Sequence, residues 1–81
     1  MPYIQAEERI GLRPLEYSAA GMSAGQLNYL ITRLVLSWIG EVSYSKIATA
    51  TGVIENVKQE LYRRLAAPYE DQKMKDHGDV Y

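Results

Sequence analysis

The densest group of side chains that could bind a divalent metal ion lies near the C-terminus. It comprises Glu70, Asp71, Asp76, His77 and Asp79. Carboxylates and an imidazole can bind metal ions, but the spacing is not that of a calcium-binding loop, and His77 has no second histidine to pair with. The chain has no cysteine, which excludes cysteine-based zinc sites and disulfides. We therefore interpret the cluster as the solvated face of an acidic helix and expect no metal ion and no cofactor.

Nucleophilic catalysis would require a serine beside a base and a third, orienting group. His77 is the only histidine, while Ser23 and Ser43 stand where they would cap helices. The glycines are scattered along the sequence, so it contains no glycine-rich phosphate-binding loop. These observations predict no catalytic residue, and a small enzyme or an enzyme inhibitor is kept as a third hypothesis.

Residues 44–65 have the pattern of a helix-turn-helix in which Gly52 forms the turn. In a DNA-binding protein the second helix enters the major groove. The side chains available for phosphates and base edges are Lys58, Arg63 and Arg64, and Asn56 and Gln59. The same helix carries Glu55 and Glu60, and the chain has a net charge of −1, which disfavours a polyanion. A plain helical corner is therefore preferred, and DNA binding is the first alternative.

Aromatic and basic side chains indicate contact with another protein. The chain has seven tyrosines, one tryptophan and no phenylalanine, and tyrosine is favoured where one end of a side chain is buried and the other is wet. Arg33 follows Tyr29 by one helical turn, and its alternative role is a structural ion pair with a glutamate, for which the candidates are Glu55, Glu60 and Glu70. The candidate partner-binding residues are Tyr29, Arg33, Trp38, Arg63, Arg64, Tyr69 and Tyr81.

Helices must position these side chains, since the sequence has no β pattern of consequence. Its 81 residues suit one domain over residues 1–81. The clearest element is a central helix at about 23–39, where Ser23 and Gln26 fit a capping box. Its apolar residues recur every three or four positions and are Leu27, Leu30, Ile31, Leu34, Val35 and Trp38, flanked by Tyr29, Leu36 and Ile39. This face holds more apolar surface than so small a chain can hide.

Glycines and prolines divide the rest of the chain into shorter helices. Pro14 would remove a hydrogen bond from a continuous helix, and Pro68 suits the first position of a helix. The expected elements are an extended start over 1–4, a weak pair of helices or one broken helix over 5–20, helices over 44–51 and 53–66, and a short helix plus tail within 68–81. The predicted fold is all-α, with four to five helices.

Several segments of the chain resemble segments of a known family. They are Met1-Pro2-Tyr3-Ile4, Leu27-Asn28-Tyr29 with Ile31-Thr32-Arg33, residues 57–64, Ala67-Pro68-Tyr69-Glu70-Asp71 and Gly78-Asp79-Val80-Tyr81. They resemble small, uncharacterised helical proteins found mainly in bacteriophages and in some bacterial genomes. The resemblance transfers no activity to any residue. It implies a phage setting and a C-terminal segment that belongs to the fold or to a binding surface. In that family an asparagine often stands where His77 does, which argues against a role for His77.

The composition also bears on location and partners. The longest apolar-rich run, residues 27–39, is interrupted by polar side chains and is too short to span a bilayer. Glu7, Glu8 and Arg9 interrupt any apolar stretch that could serve as a signal peptide. We expect a cytoplasmic protein of a bacterial host cell, with the virion as the other setting. The leading hypothesis is a phage-encoded, non-catalytic protein–protein interaction module that forms a homo-oligomer and contacts no membrane.

Overall fold

The computed structural model describes residues 3–81, and all of their regular structure is helical. Helix α1 spans Ala6–Ser18, α2 spans Ala24–Ile39 and α3 spans Tyr44–Leu61. A single π-helical turn, Tyr62–Ala66, follows α3 directly, and α4 spans Ala67–His77.

The all-α class is confirmed, but the expected count of four to five helices is wrong. Helix α3, the π turn and α4 follow one another without a break, which leaves three helical stretches in the described part of the chain. Met1 and Pro2, where the predicted extended start begins, lie outside the described residues.

Helix α2 lies where the sequence predicts a helix at about 23–39, and its first turn confirms the capping box. The backbone N–H of Gln26 donates to Ser23 Oγ at 3.1 Å, and the backbone N–H of Ser23 donates to Gln26 Oε1 at 2.9 Å. Two donors that a helix start leaves unpaired are thereby satisfied. The helix ends at Gly40, whose φ of +61° lies in the left-handed region that glycine adopts at low cost.

Helix α1 runs through Pro14, so the predicted break within residues 5–20 is wrong. Proline lacks the N–H that would donate to the carbonyl of Ile10, and in a helix interior its presence costs about 3 kcal/mol. Every residue of α1 is exposed, so water can hydrate the unpaired carbonyl. The acidic side chains of Glu7 and Glu8 lie in the first turn, where they stabilise the positive end of the helix.

Helix α3 runs through Gly52, so the turn predicted at this residue is wrong. A glycine in a helix interior costs only about 1 kcal/mol relative to alanine. Ending the helix there would instead leave carbonyl groups of its last turn without partners. Gly52 is also absent from the glycines with positive φ, which include Gly40 at the end of α2.

The π turn explains how the chain stays helical past Pro68, which was expected to begin a separate helix. In a regular α-helix the proline ring would clash with the carbonyl of Arg64, four residues earlier. Here the backbone N–H of Ala67 donates to the carbonyl of Tyr62, five residues earlier. This wider turn provides room for Pro68 at the second position of α4; the π-helix is rare and occurs mostly as such single turns within α-helices.

The described chain divides into two units, with the boundary inside α3 between Ile47 and Ala48. In the N-terminal unit, residues 3–47, no described residue is buried, and α1 and α2 do not pack against each other. In the C-terminal unit, residues 48–81, Ala50 is the only buried residue. Neither unit therefore has a hydrophobic core of its own. The single domain over residues 1–81 stays a prediction.

Candidate interaction surfaces

The apolar face of α2, defined here as Leu27, Ile31, Leu34 and Trp38, is uncovered. Its members follow one another at intervals of four, three and four residues, so they share one side of the helix. Each of the four side chains is between 43% and 51% exposed. The face is about 16 Å long, given a rise of about 1.5 Å per residue. A contiguous apolar strip of this kind is typical of a protein–protein interaction site.

Trp38 lies at the C-terminal end of this face, where Lys46 covers one side of its ring. The Nζ atom of Lys46 is 4.3 Å from the ring centroid, within the range of a cation–π interaction. Ser43 holds Lys46 in place, because the backbone N–H of Lys46 donates to Ser43 Oγ at 3.2 Å and so caps α3. Half of the Trp38 side chain is still exposed, so Trp38 is not a core residue of the N-terminal unit.

The opposite face of α2 carries Tyr29, Arg33 and Leu36, and it is exposed as well. Arg33 forms no ion pair within the described residues of the N-terminal unit. Two of the carboxylates predicted as its structural partners are paired locally, since Glu55 and Glu60 contact basic residues three positions along their own helix. Tyr29 and Arg33 therefore lie one turn apart as a solvent-exposed aromatic and cationic pair.

A second apolar face runs along α3 in the C-terminal unit. It consists of Val53, Ile54, Val57 and Leu61, which all lie on one side of the helix and are all exposed. Ala50, the buried residue, lies on the same side by its spacing of three and four residues from Val53 and Ile54. The C-terminal unit thus presents an uncovered apolar strip, as the N-terminal unit does.

The π turn forms part of a shallow apolar groove that sequence reasoning missed. Its lining comprises Leu61, Tyr62, Leu65, Ala66 and Tyr69. Only Tyr69 was among the candidate partner-binding residues, and Lys73 Nζ lies 5.4 Å from the centroid of its ring. The spacing of the apolar residues was the available signal. In a regular α-helix these residues follow one another at alternating intervals of three and four, but Val57, Leu61 and Leu65 are separated by four residues twice in succession. A π turn accommodates one extra residue.

Two of the side chains proposed to read DNA, Lys58 and Gln59, contact the same carboxylate along α3. The Nζ of Lys58 lies 3.0 Å from Glu55 Oε2, and Gln59 Nε2 donates to Glu55 Oε1 at 3.2 Å. These contacts, that of Lys58 first, lower the pKa of the Glu55 carboxyl. Because the helix has no turn at Gly52, the helical corner predicted for residues 44–65 is wrong and offers no recognition helix set apart from a first one.

The other candidate residues lie on the π turn and in the segment after α4. Arg63 donates to Glu60 Oε2 at 3.0 Å, and its neighbour Arg64 is exposed. The backbone N–H of Tyr81 donates to Asp79 Oδ1 at 2.9 Å, a contact within the segment itself. The Tyr81 side chain is fully exposed. All seven candidate partner-binding residues are accessible. The only ones that lie near one another are those that are already neighbours along the same helical stretch.

The described residues contain neither a candidate metal site nor a candidate membrane-spanning helix. Among residues 3–81, no three His, Asp or Glu side chains are grouped so that they could hold a metal ion. None of the helices within that range combines the length and the apolar character that crossing a bilayer requires.

Comparison with known proteins places the chain in a family. The model of the domain of unknown function DUF6899 matches residues 1–80, and the chain therefore belongs to this family. The family description assigns no catalytic activity. No curated protein matches the chain. No solved structure matches it either.

Proposed function

We propose that this member of the DUF6899 family is a non-catalytic protein-interaction module that self-associates. The observation that carries the proposal is the exposure of apolar side chains on the helices of both units, with Ala50 as the only buried residue among those described. A helix depends on packing of its apolar face for most of its stability. Helices with uncovered apolar faces therefore need another surface to cover them.

The apolar face of α2 alone represents a large free energy. Burying a Leu, Ile or similar side chain completely contributes about 1.5–3 kcal/mol. The four members of this face are about half exposed, so covering the remainder would contribute roughly 3–6 kcal/mol. That is comparable to the whole stability of a small domain, about 5 kcal/mol at the lower end of the usual range. The free energy gained by association is thus large enough to determine whether this chain is stably folded.

A second copy of the chain is the partner that is always available. Most soluble oligomers are homo-oligomers with closed symmetry, and two-fold dimers are the commonest. The exposed pair of Tyr29 and Arg33 and the groove beside Tyr69 leave further surfaces for a different protein. A phage-encoded origin and a cytoplasmic or virion setting belong to the same proposal, and rest on the sequence resemblance alone.

DNA binding is not proposed as a second function, because its geometric basis is missing. Helix α3 is continuous through Gly52. Lys58 and Arg63, two of the three cations offered to phosphates, are each paired with a glutamate. An enzyme or an inhibitor of one is not proposed either, since no described cluster of side chains suggests chemistry.

The proposal is tested by following the mass and the thermal stability of the protein on dilution. Sedimentation velocity and thermal unfolding are measured from about 100 μM to about 1 μM, a range over which an associating protein changes its midpoint. We expect species larger than the 9.2 kDa chain at the high end and a melting temperature that falls with dilution. A single 9.2 kDa species with a constant melting temperature over the whole range contradicts the proposal.

A further inference from the structure

We propose that two copies of the chain pair through the apolar face of α2, with the two helices antiparallel. This inference rests on the proposed self-association and names the surface responsible for it. Three properties of α2 support it: the absence of charge on the face, the symmetry of its residue spacing, and the position of a lysine at one end.

The first property concerns charge. Arg33 is the only charged residue of α2, and it lies on the side of the helix opposite the apolar face. A partner surface with charged groups would have to desolvate them against this face without providing them with counter-ions. A face that is itself uncharged avoids that cost. The same face of a second copy meets this requirement and is present at equal concentration.

The second property is the spacing of the face, which reads the same in both directions. Leu27 and Trp38 lie equally far on either side of the point between Thr32 and Arg33, and so do Ile31 and Leu34. An antiparallel pair centred on that point places Leu27 opposite Trp38, and Ile31 opposite Leu34, in both halves. A two-fold contact requires this reciprocity, in which one residue contacts a second and the second contacts the first.

The third property decides between the two orientations. Lys46 lies against Trp38 at one end of the face. A parallel pair would bring the ammonium groups of both Lys46 residues to the same end, where they repel each other. An antiparallel pair places them at opposite ends and also aligns the two helix dipoles favourably.

The expected contact is modest in size and therefore reversible. Helix α2 has 16 residues and is about 24 Å long. A contact between two such helices falls below the standard interface of about 1,600 Å². We therefore expect a dissociation constant nearer to the micromolar than to the nanomolar range.

The surface is tested with a matched pair of substitutions, Leu34→Glu and Leu36→Glu. The two leucines belong to one helix and are 50% and 51% exposed, but Leu34 lies on the apolar face and Leu36 on the opposite side. We expect Leu34→Glu to weaken dimerisation by about 100-fold or more, because it places a carboxylate in the contact. Leu36→Glu should leave the dissociation constant within about threefold of that of the unchanged chain. Circular dichroism of both variants reports whether helicity is retained.

The orientation is tested by cross-linking, which does not require a variant that weakens association. The chain has no cysteine, so Gln26→Cys and Ser37→Cys each introduce a single thiol. Both positions are exposed, and because they are about three helical turns apart they lie on the same flank of α2. In an antiparallel pair, residue 26 of one copy and residue 37 of the other lie on the same edge of the contact and about 3 Å apart along the axis, while like positions are about 13 Å or more apart. A short thiol-reactive cross-linker should therefore join a mixture of the two variants better than either variant alone.

Each result has a defined meaning. The proposal is supported if Leu34→Glu loses the dimer while Leu36→Glu keeps it, and if the mixture of the two cysteine variants cross-links better than either variant by itself. Preferential cross-linking of each variant with itself overturns the antiparallel orientation. Equal effects of Leu34→Glu and Leu36→Glu in a protein that still self-associates overturn the assignment to α2 but leave the proposed function standing. A chain that stays monomeric at every concentration overturns both.

Discussion

Replacing Trp38 with alanine should have a cost that depends on protein concentration. Complete burial makes a tryptophan-to-alanine change cost about 3–5 kcal/mol. In the single chain Trp38 is 51% exposed, so the loss of packing there should be about half of that. It includes the cation–π contact with Lys46, which contributes about 0.5–1 kcal/mol. We therefore expect Trp38→Ala to lower the free energy of unfolding of the unpaired chain by about 2 kcal/mol.

Pairing through the apolar face of α2 adds a second part to this cost. The half of the ring that the single chain leaves exposed would be covered in the pair, so the total cost should rise to about 4 kcal/mol. The difference of about 2 kcal/mol should appear as a dissociation constant that is about 30-fold weaker. Urea unfolding, measured below and above the dimerisation midpoint of the unchanged chain, gives both values.

Tyr29→Ala is the matched control, because Tyr29 is an exposed aromatic residue on the opposite face of α2. Its cost should be small and the same at both concentrations. An equal cost of Trp38→Ala above and below the midpoint, in a chain that dimerises, contradicts a role for the ring in the pair. In that case the ring would contribute nothing to the contact, and another surface would be responsible for association.

Four further outcomes test the local structure. Gly52→Ala should raise the free energy of unfolding by about 1 kcal/mol, because Gly52 lies inside a helix and an added Cβ meets nothing within 4 Å. Gly40→Ala should lower it by about the same amount, because the φ of Gly40 is +61°. Thermal unfolding measures both changes. Ser23→Ala should cost about 1 kcal/mol through loss of the capping box, measured as a shift in the unfolding midpoint. Pro68→Ala should convert the π turn into regular α-helix, seen as new amide protection in hydrogen exchange. Because the pKa of the Glu55 carboxyl is lowered in the folded chain, its ionised form stabilises the fold at pH values above the ordinary pKa. This stabilisation should be lost as the pH falls through the lowered pKa. Glu55→Gln should remove this part of the pH dependence of stability.

Each of these outcomes can fail in an informative way. A destabilising Gly52→Ala would restore the turn at that residue. An unchanged midpoint for Ser23→Ala would mean that water replaces the cap. A π turn that persists in Pro68→Ala would show that the apolar spacing, rather than the proline, determines it. Identical pH profiles with and without Glu55 would mean that its contacts with Lys58 and Gln59 do not differ between the folded and unfolded states.

Sequence reasoning located α2 correctly because the signals for that helix are local. The capping box spans Ser23 to Gln26, and the end at Gly40 depends on one backbone angle. It failed at Pro14, Gly52 and the junction before Pro68, where the helix continues through a residue that disfavours it. The cost of each exception, about 1–3 kcal/mol, is offset by hydrogen bonds and hydration that depend on the neighbouring turns. Sequence patterns do not contain that balance.

The candidate site shows the same division. The sequence identified which side of α2 is apolar, since a spacing of three and four residues places side chains on one face whatever surrounds the helix. It also proposed Trp38, Tyr29 and Arg33 as partner-binding residues, and that role stays a prediction. It could not find the groove beside Tyr69, because that groove depends on a π turn whose hydrogen bond spans five residues.

By itself, the sequence determined the helical class, the position and cap of α2 and the composition of its apolar face, because each depends on residues within one or two turns. Only the tertiary structure decided that α1 and α2 do not pack together and that the faces of α2 and α3 are uncovered. Burial depends on which surfaces meet in space, and residues far apart in the chain determine that. The uncovered faces are what makes association, rather than a core within each unit, the physical basis of the proposed function.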